Sequence, residues 1–171
     1  MTGEKKAAAT RYHRKALMTA ADRLLVEYGY DGMNMNMLAK EADYSKATVY
    51  VYFRSKDELV CALAIERLKL MRREIALVLK NDFDINGKLD EVGNILTEFA
   101  NEDSVYFDYV TARAFEDGEA PTGTDELRAL VKGIFTDLTV LTDADDLLGM
   151  WYTFYGKIKT KRMARAVMEE A

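Results

Sequence analysis

Three residues suited to starting helices lie close together in the first third of this 171-residue chain, and they constrain the fold more than any other feature. Asn34, Ser45 and Ser55 each carry a side-chain oxygen that can accept from the free N–H groups of a helix's first turn. Asn34 opens a helical segment over residues 35–42, with Leu38, Ala39 and Ala42 on its buried side. Ser45 opens a second that runs to about Phe53. Ser55 with Glu58 three residues on forms a capping box, and Asp57 and Glu58 suit the positive end of a helix dipole. Upstream, Leu17, Ala20, Ala21, Leu24 and Leu25 recur at helical spacing from about Thr10 to Tyr28, and Gly29 supplies a left-handed stop. Three short helices with Asp43-Tyr44 turning the second into the third make a helix-turn-helix pattern.

The rest of the chain extends the same theme. A long helix runs from Ser55 to about Lys80, carrying Leu59, Leu63, Met71, Ile75 and Leu79. Further helices are expected over about 86–101, 103–117, 124–141 and 143–169. Asn81-Asp82, Glu102-Asp103 and the stretch from Gly118 to Gly123 break them; the only proline, Pro121, lies in the last. Thr142 with Asp145 is the expected capping pair of the final helix. No stretch alternates long enough to claim a strand. The fold class is therefore all-α: a three-helix helix-turn-helix head over residues 1–55, then a helical bundle over 56–171.

Charge is divided between these parts. The net charge is −5, yet residues 1–60 carry +2 and residues 61–171 carry −7. Within the first fifteen residues Lys5, Lys6, Arg11, Arg14 and Lys15 face only Glu4. That asymmetry suits a small phosphate-facing surface on an acidic body, and equally a solvated N-terminal arm. The single cysteine, Cys61, excludes an internal disulfide, and no apolar run approaches membrane-spanning length. A cytoplasmic protein is expected, nucleoid-associated when on DNA. Walker-type loops, HExxH and Cys/His clusters are missing from the sequence, and the lone His13 and Cys61 offer no nucleophile–base pair, so neither an enzyme nor a metal or cofactor site is expected.

Residues 29–59, GYDGMNMNMLAKEADYSKATVYVYFRSKDEL, carry a resemblance. Gly29-Tyr30, Leu38-Ala39, Ser45-Lys46, Thr48, Tyr50, Tyr52-Phe53, Lys56 and Leu59 stand in the order and spacing of the tetracycline-repressor (TetR) family, and Ala20-Ala21 and Leu24 extend the match over about 11–63. Three positions depart from the pattern: Asp43 replaces a usual turn glycine, Met33 a usual threonine, and Ala47 a common glycine. The resemblance implies a homodimeric transcription regulator, most often a repressor, that leaves a near-palindromic double-stranded operator when a small effector binds its helical body.

In the third helix Val49 and Phe53 lie four apart and fasten it to the head, which leaves Lys46, Thr48, Tyr50 and Tyr52 to face outward or sideways. A cation, a hydroxyl and two phenols suit a major groove and its flanking phosphates. The resemblance assigns Thr48 and Tyr50 to phosphate or thymine methyl, Tyr52 and Lys56 to the DNA backbone, and Lys46 to bases or phosphate. Ser45 caps the reading helix, and Asn36 is a further candidate for an adenine edge. Half-buried packing is the plain alternative for the tyrosines.

In the body, Tyr106, Tyr109, Arg113 and Tyr152 are candidate effector-lining residues, because helical ligand cavities favour aromatic walls with a few polar groups. Leu138, Leu147, Trp151, Phe154 and Ile158 are candidates for a dimer interface built from the last two helices, with packing inside one chain as the alternative. A different function is a DNA-bound scaffold whose body recognises a protein rather than a small molecule.

Overall fold

The structure is a computed structural model that describes residues 3–114 and 122–169. Gly118, Pro121 and the last three residues of the expected 103–117 helix lie outside the described residues. Among the described residues the order is α1 (Gly3–Gly32), α2 (Met35–Glu41), α3 (Lys46–Tyr52), α4 (Lys56–Lys80), α5 (Ile85–Glu102), α6 (Ser104–Ala114), α7 (Thr124–Leu138) and α8 (Ala144–Glu169).

The local signals act as expected. Asn34 Oδ1 accepts from the N–H groups of Asn36 and Met37, and Ser45 Oγ accepts from Thr48 N–H at 3.0 Å. Ser55 Oγ accepts from Glu58 N–H, while the Glu58 carboxylate reaches back to Arg54 N–H at 2.9 Å, one residue earlier than the usual box. Gly29 breaks α1 with φ 67° and ψ −179°, a region open in practice to glycine alone. Asp43 takes φ 57° and so makes the left-handed turn in place of the family's glycine.

Some boundaries differ from expectation: α1 continues past the break at Gly29 to Gly32, and α7 ends at Leu138 rather than near 141. Helix α1 begins at Gly3 rather than near Thr10, since Lys5, Lys6 and Ala7–Ala9 are strong helix formers with Glu4 in the first turn. Asp143, not Thr142, caps α8: its Oδ1 accepts from Asp146 N–H at 2.9 Å, and the Thr142 hydroxyl bonds the Asp146 carboxylate instead.

One apolar core runs through the chain. Leu17, Ala21, Leu25, Leu38, Val49 and Phe53 close the head, and Leu59, Val60 and Leu63 continue it into the body. The expected division at 55/56 falls at the N-cap of α4, whose first turns pack under the head. Helix α4 then forms the spine on which α5, α6 and α7 gather, with α8 closing the far side through Leu147, Trp151, Phe154 and Ile158. None of the described helices is long and apolar enough to cross a membrane.

Candidate DNA-reading surface and internal cavity

Helix α3 is seated by Val49 and Phe53, both fully buried. That register fixes what faces out. Ala47 and Val51 lie opposite Val49 and point outward, Val51 at 78% exposure, with exposed Lys46 and Tyr50 beside them. The Lys46 ammonium stands 6.0 Å from the Tyr50 ring centre. Asn36 is exposed at the start of α2, and a shallow notch joins it to Lys46 and Tyr50.

Thr48 and Tyr52 are half-buried rather than outward. Thr48 Oγ1 hydrogen-bonds Ser45 Oγ at 2.8 Å, which stiffens the first turn of α3. The Tyr52 ring lies 5.7 Å from that of His13, and its carbonyl accepts from Arg14 at 2.7 Å. Lys56 is engaged inside the molecule: its ammonium donates to the carbonyls of Tyr30 at 2.7 Å and Met33 at 3.2 Å and sits over the Tyr30 ring. It holds the turn that presents α2, so any contact with DNA would compete with those carbonyls. Ala47 and Val51 escaped the sequence reading, although the placement of Val49 implies them, because a residue two positions from a buried one on a helix faces away.

Inside the body, α4, α5, α6, α7 and α8 line a partly open cavity of about 130 Å³. Leu68 and Met71 of α4, Val92 and Phe99 of α5, and Phe107 and Val110 of α6 form one side; Ile134, Leu138, Leu147, Trp151 and Phe154 form the other. The lining is apolar almost throughout.

The four expected effector-lining residues are not there. Tyr106, Tyr109 and Arg113 sit on the face of α6 turned toward the head, and Tyr152 is 70% exposed on the outside of α8. Burial does not pick a direction, and α6 has two buried faces. Of the dimer candidates, Leu138, Leu147, Trp151 and Phe154 line this cavity, Trp151 and Phe154 keeping part of their surface exposed, and Ile158 is buried within the same chain. The apolar side chains left exposed around α8 are Val140, Leu148, Met150 and Tyr152.

The head-facing side of α6 makes two polar bridges. In one, the Tyr106 hydroxyl donates to Asp22 of α1 at 2.5 Å; Asp22 also accepts from Arg67 at 2.9 Å, and Arg67 reaches Asp103 at 3.3 Å. In the other, the Tyr109 hydroxyl donates to the Asp57 carbonyl at 3.1 Å, while the Asp57 carboxylate accepts from Tyr30 at 2.9 Å and Arg113 at 3.3 Å. Burial pushes the Tyr106 and Tyr109 phenols far up from their ordinary range, with the nearby Asp22 adding to the first and Cys61 and Asp57 to the second. Burial also raises the Asp103 carboxyl, against the pull of Arg67. Helix α6 thus touches the cavity through Phe107 and Val110 and the head through Tyr106, Tyr109 and Arg113.

A capped helix-turn-helix is seated on an all-α bundle. Residues 17–63 match the family model of bacterial regulatory proteins of the tetR family. Over 72 residues the chain is 36% identical to the nicotine-responsive transcriptional repressor HdnoR of Paenarthrobacter nicotinovorans, covering 42% of this chain and 37% of that one. The alignments to the first curated relatives span 24%, 32% and 37% of those relatives' lengths. The fold likeness is broader. The fatty acid degradation regulator FadR of Bacillus halodurans superposes with a TM-score of 0.66 at 20% identity, over 90% of this chain and 86% of that one. FadR of Bacillus subtilis, solved with stearoyl-CoA, gives 0.65 at 17% identity, over 89% and 88%.

Proposed function

We propose that this protein is a DNA-binding transcriptional regulator that holds a near-palindromic operator as a homodimer and releases it when a small apolar effector enters the body. The observation that carries this reading is that one helix, α6, has the cavity on one side and, on the other, Tyr106 bonded to Asp22 of the head and Tyr109 and Arg113 bonded to Asp57, which in turn holds Tyr30 of the head. A ligand that parts Phe107 and Val110 from the facing helices would shift α6 and strain both bridges. Affinity for DNA then changes by linkage.

Lys46, Tyr50, Val51 and Asn36 form the reading surface in this account. Val51 and Ala47 offer apolar contact to thymine methyls, and Asn36 suits an adenine edge. Ser45 and Thr48 hold the first turn, and Lys56 and Tyr52 position the helix from behind. The apolar lining, set between five helices, supports a small molecule over a protein as the body's ligand. An apolar cavity of roughly 150 Å³ takes benzene, so a small aromatic or short aliphatic compound suits the described conformation. Stearoyl-CoA in the Bacillus subtilis FadR supports an apolar occupant and would need wider parting of the helices here. The outer face of α8, with Leu148 and Tyr152, is the proposed dimer contact.

The test starts with selection of bound duplexes from a random-sequence library by the purified protein. The selected duplex is then challenged with a panel of small apolar and polar compounds. Release by apolar compounds alone, abolished in Val110→Trp, is the expected result. Release by polar compounds, or a Val110→Trp variant that responds like the wild type, would place the effector elsewhere.

A further inference from the structure

The first three turns of α1 are not accounted for by the helix-turn-helix. The helix starts at Gly3, and every side chain from residue 3 to residue 12 is exposed. A helical stretch with no buried face adds nothing to the core, but it does place charge. Lys5, Lys6, Arg11 and Lys15 project from it, with Glu4 the only acid. None of these four cations has an ion-pair partner among the described residues. Several cations of the body are paired instead: Arg67 with Asp22, Arg72 with Asp137 and Lys69 with Glu126.

The position of this arm is set by the two residues that follow it. Arg14 donates to the Tyr52 carbonyl at 2.7 Å, and its guanidinium lies 4.1 Å above the Phe53 ring. His13 Nδ1 shares a 2.7 Å hydrogen bond with the Tyr44 hydroxyl. Together they pin α1 beside the last turn of the reading helix. At about 1.5 Å per residue, Lys5 to Arg11 lie within roughly 15 Å of that pin along the helix. A helix in the major groove is bounded by phosphates, so charge beside its end meets backbone before bases.

We infer that the N-terminal turns of α1, through Lys5, Lys6, Arg11 and Lys15, are a second DNA contact that binds phosphates flanking the half-site and carries no sequence preference. The inference rests on the DNA-binding reading of α3 and adds to it. A solvated arm would leave the salt dependence of binding untouched, whereas phosphate contacts contribute to it directly. Each one steepens the fall of log affinity with log salt by about 0.9, which is roughly 3.5-fold in affinity between about 50 and 200 mM salt.

The test uses the full chain and its Lys5→Ala/Lys6→Ala/Arg11→Ala variant, titrated by fluorescence anisotropy against a mixed-sequence duplex and against the duplex selected above. Alanine keeps the exposed helix, and circular dichroism checks it. The expected result is a slope shallower by about five units, three cations from each of two protomers at about 0.9 apiece, on both duplexes, with the preference for the selected duplex unchanged. Lys5→Glu/Lys6→Glu should weaken binding further. An unchanged slope overturns the inference and leaves the reading by α3 standing. Loss of preference in place of slope also overturns it, since the arm would then read bases. A wild-type protein that binds neither duplex overturns the inference and the proposed function together.

Discussion

Removing one hydroxyl from α6 isolates the bridge between body and head. In Tyr106→Phe the ring stays, 2% exposed and buried as before, but Asp22 loses its 2.5 Å donor. A hydrogen bond to a charged group contributes about 1.5–3 kcal/mol. Asp22 keeps Arg67 at 2.9 Å and is one-third exposed, so water and the remaining cation recover part of the loss. The expected cost is at the low end, about 1.5 kcal/mol. For a chain of this size that lowers Tm by roughly 3–6 °C, at about 2–4 °C per kcal/mol. Tyr12→Phe removes the same atom from a side chain that is 70% exposed and should melt within about 0.5 kcal/mol of the wild type. Calorimetric melts of both variants decide it. If Tyr106→Phe melts with the wild type, or both variants fall equally, the Tyr106–Asp22 contact does not join body to head as described.

Other consequences follow from single residues. Gly29→Ala puts a Cβ at φ 67° and ψ −179°, where strain rather than crowding costs about 1–3 kcal/mol, measurable by urea unfolding. Ser45→Ala removes the oxygen that caps α3; about 1 kcal/mol of stability and a weaker operator complex should be lost together. The Tyr106 and Tyr109 phenols are raised in the fold from the usual 10.0, chiefly by burial. A raised folded value contributes stability that is present below the unfolded value and lost as pH rises past it. Stability should therefore hold to about pH 10 and decline above it, and Tyr106→Phe/Tyr109→Phe should flatten the alkaline limb of a pH series of melts.

What could be read from the sequence was what depends on neighbours in the chain. Asn34, Ser45, Ser55, Gly29 and Asp43 act within a few residues of themselves, and their roles hold. The cavity is different in kind. Tyr106 and Phe107 are adjacent and equally buried, yet one meets Asp22 of the head and the other the cavity. Periodicity tells that both faces of α6 are covered, not by what. The stripe Leu147, Trp151, Phe154 and Ile158 was legible as inward-facing, and within the chain it packs against the α5–α7 layer. Tyr152 falls between positions of that stripe and could have been placed outside on spacing alone. Lys56 was legible as fixed in the pattern, and the carbonyls of Tyr30 and Met33 that it holds were not.

The central claim is that α3 reads DNA with the face opposite Val49. Its most direct test is the binding preference of Tyr50→Ala and Val51→Ala between the selected duplex and the same duplex with single base-pair changes, each measured at one fixed salt concentration. The account predicts a loss of about 1–3 kcal/mol of discrimination confined to one or two adjacent positions in each half-site. Base preferences that stay as in the wild type at every position in both variants would contradict it.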